Sequence, residues 1–297
     1  MHQTSGPQRD SQDAGLPEVG LPDAGLPDDE LLDAEVLEAV TLAFAVSAKT
    51  REVYPSIPNQ HYGPAIEEYL DIYPAEVPNA PILVFLPGGF AGLPMLAQDF
   101  AGVARGPYAH GITTVIVNYA SVPAATPAEA GRQVVAAVAW VYNQADRFGA
   151  DRERIVVAGH GMGGQLAVAT AVIDWEADHG LPADVVKAVL SVSGRSRPGS
   201  STRWQSWGVP LRRVDVPLVV VQGDRELEES QCQSAEFLAA WAASGNTATR
   251  LDLPGQSQHD TYAGYADSAS VLTLSTVELI DSTRPYGSAG LATLAGR

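Results

Sequence analysis

The sequence has very little cysteine and little positive charge. Cys232 is the single cysteine among 297 residues, so no disulfide can form within the chain, and a reducing compartment is expected. Lysine and arginine total 18 against 35 aspartates and glutamates, which gives a formal net charge of -17. Nucleic acids and anionic membrane surfaces repel so acidic a chain, and neither is expected as a partner.

Long apolar runs and metal-binding patterns are also missing. No stretch approaches the ~18 consecutive apolar residues of a membrane span. The first residues, MHQTSGPQRD, lack the basic and apolar segments of a signal peptide, so a cytoplasmic protein is expected. The six histidines show no HExxH or similar spacing, and we therefore expect no metal ion and no cofactor. Nothing in the sequence decides the oligomeric state.

Much of the negative charge lies at the beginning of the chain. Residues 1–38 hold ten acidic residues and one arginine, and Gly-Leu-Pro begins at positions 15, 20 and 25. Repeated proline and glycine prevent a regular helix, and the acidic residues favour solvation. This composition predicts a disordered tail over residues 1–30, or an arm that covers a site, followed by one domain over residues 31–297.

The rest of the chain alternates between strand and helix patterns. Apolar runs rich in β-branched residues are separated by helical periodicity, which predicts an α/β fold with a parallel sheet covered on both faces. Residues 195–214 interrupt the alternation and contain Trp204 and Trp207, which favours a small lid over the strand ends. The predicted strands are residues 66–73, 81–87, 112–119, 154–159, 187–194, 217–223 and 248–255.

A glycine-rich turn follows the strand predicted at residues 154–159. Its sequence is GHGMG, residues 159–163, and a helical pattern begins at Met162. A sharp strand-to-helix turn needs small residues, and the Met162 N–H would point outward at the helix N-terminus. The loop Gly88-Gly89-Phe90 offers further N–H groups. Together these donors predict a hole that stabilises a developing oxyanion.

A histidine and two carboxylates complete the candidate site. His259 follows a predicted strand, where its imidazole can reach the glycine-rich turn. A catalytic imidazole needs a carboxylate that fixes its tautomer and orientation. Asp224 and Glu226 both follow the strand predicted at residues 217–223, and their position alone leaves both open as the partner of His259.

Taken in order, these segments resemble the α/β-hydrolases, in the branch of esterases and kynurenine-formamidase-like enzymes, over roughly residues 60–285. VFLPGGFAG resembles the oxyanion loop, VNYASVP the next strand end, and RIVVAGHGMGG the nucleophile elbow. VVVQGDRELEESQCQSAEF resembles the acid loop and LPGQSQHDTY the histidine loop, in the chain order of that fold. The resemblance implies an α/β-hydrolase fold with a mostly parallel central sheet. It favours Glu226 over Asp224, because a catalytic carboxylate in these acid loops precedes a Gln-Ser pair by seven residues.

Two residues depart from the pattern of the family. Pro87 stands where the oxyanion loop usually begins with histidine. Gly161 stands where the elbow has its nucleophilic serine, and a glycine supplies no oxygen or sulfur for an acyl-enzyme. His160 is a poor substitute, since the side chain before an elbow nucleophile usually points back into the protein. Cys232 lies in a predicted helix and is interpreted as a packing residue.

The remaining groups suggest chemistry without a covalent intermediate. We expect a lyase in which His259 removes a proton next to a carbonyl, Glu226 orients the imidazole, and N–H groups of the oxyanion loop and Met162 stabilise the resulting oxyanion. This hypothesis follows a resemblance to hydrolase-like enzymes that eliminate acetate in tetronate and spirotetronate antibiotic biosynthesis. The partner is a small-molecule substrate. The predicted pocket residues are Phe90, Tyr119, Met162, Trp204 and Trp207.

Two other functions stay open at this point. One is a serine-type esterase whose nucleophile was lost or changed to Gly161. The other is a ligand-binding pseudoenzyme, because some relatives without the nucleophile act in recognition. Fold alone does not decide among these three functions.

Overall fold

A computed structural model describes residues 34–89, 95–120, 125–194 and 211–283. The predicted tail over residues 1–30 lies outside this part of the chain. So do most of the predicted lid, including Trp204 and Trp207, and Phe90 of the oxyanion loop.

In the described part of the chain, eight strands form one sheet in the order β1-β2-β4-β3-β5-β6-β7-β8. Their bounds are β1 Ile57–His61, β2 Tyr69–Tyr73, β3 Ala80–Leu86, β4 Thr113–Val117, β5 Ala150–His160, β6 Val186–Val192, β7 Leu218–Gly223 and β8 Ala248–Leu253. The six strands β4, β3, β5, β6, β7 and β8 are parallel to one another. At one edge of the sheet, β1 pairs with β2 and β2 pairs with β4 in antiparallel fashion. The α/β-hydrolase fold predicted from the sequence is confirmed.

The edge strand β1 is absent from the strands predicted from sequence. Its residues IPNQH include a proline and two amides and show no apolar alternation. Proline lacks an N–H donor and is tolerated at a sheet edge, where one side of the strand has no neighbour. The pairing of β1 with β2, and not its own sequence pattern, makes this segment a strand.

Helices and short 3₁₀ segments cover both faces of the sheet. The helices are α1 Ala34–Val53, α2 Arg105–Ala109, α3 Pro127–Gln144, α4 Met162–Ala171, α5 Trp175–His179, α6 Glu228–Ala243 and α7 Val271–Ser282. Two apolar clusters lie on opposite sides of the central strands, because alternate residues of each strand point to opposite faces. None of the described helices is long and apolar enough to span a membrane.

The strand register brings the candidate site residues to one edge of the sheet. Leu86 at the end of β3 lies opposite Gly159 of β5, and Gly223 at the end of β7 lies opposite Leu253 of β8. Because these strands are parallel, the loops that follow them all leave from the same edge. Ligands of open α/β sheets bind at this carboxyl edge.

Candidate active site

Gly161 has the backbone conformation of a nucleophile elbow. Its φ is 55° and its ψ is -119°, a combination that residues with a side chain rarely adopt. The Gly161 N–H donates to the Val192 carbonyl at 2.9 Å, and the Gly161 carbonyl accepts from the Gly164 N–H at 3.1 Å. These contacts connect the turn to the end of β6 and to the first turn of α4. The elbow geometry is therefore present although the residue at its tip has no side chain.

Close packing explains the glycines on either side of the elbow. A Cβ on Gly159 would overlap the carbonyl group of Gly163, and a Cβ on Gly163 would overlap the carbonyl group of Leu86. Glycine at both positions lets the start of α4 lie directly against β5 and β3. This approach places the N-terminus of α4, and with it Met162, beside the oxyanion loop.

The described part of the oxyanion loop is attached to the end of β4. The Tyr119 hydroxyl donates a hydrogen bond to the Pro87 carbonyl. Burial raises the pKa of Tyr119 well above its usual range, so this hydroxyl stays protonated as a donor. Gly88 is buried against the main chain of His160, whereas Gly89 is exposed, and no atom of the described residues lies within 4 Å of a Cβ built on it. Tyr119 thus contacts the loop at the residue that replaces the usual histidine.

A small cavity of about 30 Å³ lies under the oxyanion loop. Its lining includes four residues that the sequence predicts for the site, Gly88, Gly89, Tyr119 and Met162. Met162 is half-buried at the first position of α4. The structure therefore brings together the described members of the predicted oxyanion hole and pocket.

The two candidate carboxylates occupy different environments. Glu226 is 6% exposed, and its Oε1 accepts from the Ser193 hydroxyl at 2.7 Å and from the Gly223 N–H at 2.9 Å. Asp224 is exposed, and its Oδ1 accepts from the Gly255 N–H at 2.7 Å, which joins the loop after β7 to the turn after β8 at the surface. The buried, hydrogen-bonded position of Glu226 suits a residue that orients a base, whereas Asp224 makes a surface contact between two loops.

His259 lies half-buried in a tight turn that follows β8. The Asp260 Oδ2 atom closes this turn by accepting from the Ser257 N–H at 3.1 Å and from the Ser257 hydroxyl at 2.6 Å. The turn is also joined to the acid loop, because the Arg225 N–H donates to the Gln256 carbonyl at 3.0 Å. The loops that carry Glu226 and His259 are thus held side by side.

His160 points into the protein, as the elbow pattern predicts, and is 1% exposed. Its Nε2 lies 2.8 Å from the Gln258 carbonyl, and its ring centroid is 4.8 Å from that of Tyr262. Burial, reinforced by the charge of His259, lowers the pKa of His160 to about 4, against the partly opposing hydrogen bond to Gln258. His160 is therefore neutral near pH 7 and joins the elbow to the histidine loop.

Sequence reasoning missed Ser193 and Thr261. The Ser193 Oγ lies 2.7 Å from the Thr261 Oγ1, and it also donates to Glu226. Thr261 in turn donates to the Gln258 carbonyl at 3.2 Å. Ser193 has a positive φ of 48°, uncommon outside glycine, at the end of β6. The two serines of SVSG, at the end of β6, were the only sequence feature that could have pointed to Ser193. Their contact with the acid loop depends on the fold.

Two further expectations concern other residue types. Cys232 is exposed on α6, so its interpretation as a packing residue is wrong, because it falls on the solvent side of that helix. Within the described ranges, no group of three or more His, Cys, Asp or Glu side chains is placed to hold a metal ion.

Comparison with known families identifies the class of this chain. A family described as the alpha/beta hydrolase fold matches residues 88–244, which is more than half of the 297 residues. The chain therefore belongs to the alpha/beta hydrolase family. No curated protein matches it significantly.

Several solved structures share the fold at low sequence identity. A protein proposed to be a thioesterase, from Silicibacter sp., is 20% identical with a TM-score of 0.67, covering 80% of this chain and 92% of its own. The esterase LipW from Mycobacterium marinum is 17% identical with a TM-score of 0.65, covering 86% and 92%. An esterase from Pyrobaculum calidifontis is 16% identical with a TM-score of 0.62, covering 84% and 93%. At these identities the similarity shows the fold alone.

Proposed function

We propose that this chain is an enzyme that acts on a small carbonyl compound without an acyl-enzyme, and that its reaction is an elimination. The observation that carries the proposal is Gly161, which has the backbone of a nucleophile elbow but no atom that can attack a carbonyl. The adjacent loops retain a histidine, a buried carboxylate and N–H donors. These groups are the ones that proton abstraction next to a carbonyl requires.

In the proposed reaction, His259 removes a proton from the carbon next to the substrate carbonyl. The electron pair moves into the carbonyl group, and the N–H groups of Gly89 and Met162 stabilise the negative oxygen. The C–O bond at the β-carbon then breaks, a C=C bond forms, and a carboxylate leaves with the bonding electrons. The proton on His259 passes to solvent, and Glu226 keeps the imidazole oriented throughout. An acetylated tetronate ring is one cyclic substrate of this type.

Ester hydrolysis is the second candidate function. Two of the similar solved structures are esterases, and this likeness is the observation that favours it. Without a serine, His259 would activate a water molecule that attacks the ester carbonyl directly. Elimination and hydrolysis share a base and an oxyanion hole, but they break different bonds.

A β-acetoxy ketone, acetoxybutanone, distinguishes these reactions when it is supplied in ¹⁸O-labelled water. Elimination releases acetate that carries only substrate oxygen, together with the enone, whereas hydrolysis releases acetate that carries one solvent oxygen, together with the hydroxyketone. Unlabelled acetate with the enone is the expected result. Labelled acetate would establish hydrolysis, and absence of turnover with binding retained would support a ligand-binding protein.

Variants at two positions test the assigned roles. His259→Ala should lower turnover by about 100-fold or more, because a positioned general base contributes that much. Gly161→Ser introduces a nucleophile into the elbow, and Gly161→Ala imposes the same backbone strain without one. If the serine variant gains no acyl-enzyme detectable by mass spectrometry relative to the alanine variant, the elbow and base are not aligned as proposed.

A further inference from the structure

The space beside Gly161 is bordered by a polar side chain. A Cβ built on Gly161 would lie 3.8 Å from the Gly88 Cα and 3.9 Å from the Gln258 Nε2. Within the described part of the chain, and apart from the neighbours of Gly161 in sequence, these two atoms alone lie within 4 Å of that point. The carboxamide of Gln258 is therefore close enough to contact an atom that occupies the place of the missing nucleophile.

The main chain of Gln258 is held in place by two side chains. Its carbonyl oxygen accepts from the His160 Nε2 at 2.8 Å and from the Thr261 Oγ1 at 3.2 Å. His160 comes from the elbow itself, so the position of Gln258 relative to Gly161 is set by a direct contact between the two loops. A side chain mounted on so constrained a turn is suited to a specific binding role.

We propose that Gln258 is a substrate-contacting residue whose Nε2–H donates to the oxygen atom that occupies the space beside Gly161. In the elimination proposed above, on which this inference rests, that atom is the ester oxygen at which the C–O bond breaks. The hydrogen bond strengthens as this oxygen becomes negative, and it therefore stabilises the transition state more than the bound substrate.

The same carboxamide is less suitable beside a serine. A donor that contacts a serine hydroxyl oxygen stabilises its lone pair, and this stabilisation is lost as the oxygen attacks. Gln258 would therefore slow an enzyme nucleophile, whereas it assists a departing substrate oxygen. The presence of Gln258 beside Gly161 is consistent with a site in which a substrate atom, and not a nucleophilic side chain, occupies the space at the elbow.

Turnover of acetoxybutanone by Gln258 variants tests the proposal. Gln258→Ala should lower kcat by at least about 10-fold with little change in KM, since removal of one donor to a developing oxyanion has effects of this order or larger. Gln258→Glu replaces the donor by a carboxylate at neutral pH and should recover activity as the pH falls and the carboxyl group is protonated. Melting temperatures of all variants report on folding.

Gln144→Ala is the matched control, because Gln144 is also half-buried but ends α3 at the opposite edge of the sheet. It should retain the kinetics of the parent chain. An unchanged kcat in Gln258→Ala would overturn the role of Gln258. So would a pH–activity profile of Gln258→Glu with the same shape as that of the parent chain. A loss of kcat matched by an equal loss in Gln144→Ala would also count against it.

A second measurement separates this inference from the proposed function. Gly161→Ser is treated with paraoxon, and the rate of phosphorylation at residue 161 is followed by mass spectrometry with and without Gln258→Ala. Removing the hydrogen bond to the serine should speed labelling by about 5-fold. An unchanged rate overturns the inference while the base and hole remain supported. If the serine variant is not labelled at all, the proposed function fails and the inference fails with it.

Discussion

Replacement of the buried His160 by glutamine should remove a loss of stability that the parent chain suffers in mild acid. Glutamine retains an N–H donor for the Gln258 carbonyl, but it cannot take up a proton. The substitution therefore isolates the titration of one imidazole while the contact between the elbow and the histidine loop is kept.

The expected magnitude follows from the pKa of His160, which falls from 6.5 to about 4 on folding because the ring is buried. Above pH 7.5 the imidazole is neutral in both states and contributes no pH dependence. Between pH 6.5 and pH 4 the unfolded chain binds a proton that the native chain does not, so the free energy of unfolding decreases as the pH falls. Each pKa unit corresponds to about 1.4 kcal/mol, and the total loss by pH 4 is about 3 kcal/mol.

Urea unfolding of both chains at a series of pH values from 8 to 4 measures this effect. All other titrating groups are shared, so the difference in free energy of unfolding between the two chains should be constant above pH 7.5 and should shift by about 3 kcal/mol in favour of His160→Gln by pH 4. The same exchange at exposed His61 is the control for the change of side chain. Parallel profiles for the parent and His160→Gln would refute the assignment of a buried neutral imidazole.

Three further predictions concern the site and its scaffold. Glu226→Gln should lower turnover by about 10-fold or more if Glu226 orients the imidazole of His259 as proposed, whereas Asp224→Asn should leave kcat nearly unchanged in the same assay. Tyr119→Phe removes the hydroxyl that holds the oxyanion loop, and kcat should fall by about 10-fold while circular dichroism shows a folded chain; an unaltered kcat would contradict this role. Gly163→Ala forces a methyl group into a main-chain carbonyl of the neighbouring strand and should reduce the free energy of unfolding by about 3 kcal/mol or more. Gly89→Ala, where a Cβ meets none of the described atoms within 4 Å, should cost far less in the same denaturation measurement.

Much of the fold could be predicted from the local pattern of apolar residues in the sequence. Runs such as PILVFL are buried on both faces of a parallel sheet, so they are apolar without interruption, and the structure places β3 there with every residue buried. The edge strand β1 was not readable, because its polar residues become a strand only through pairing with β2. Apolar periodicity in a sequence indicates which residues are buried, and an edge strand such as β1 has few buried residues.

The chemistry of single positions was also determined by the sequence itself. A glycine at position 161 excludes a covalent acyl intermediate there whatever the fold, because the residue has no nucleophilic atom. The chain order of elbow, acid and histidine likewise predicted which loops would meet, since the carboxyl ends of parallel strands lie at one edge.

Only the tertiary structure decided which atoms meet within that edge. It buries Glu226 with two donors and turns Asp224 to the surface, it directs His160 inward to the Gln258 carbonyl, and it brings the Gln258 amide to the space beside Gly161. The last two of these contacts join loops that are about 100 residues apart in the chain, with a separation of 98 positions from His160 to Gln258. Side chains in loops have no periodic pattern, and the direction of each depends on the neighbouring loops that the packed sheet brings to it.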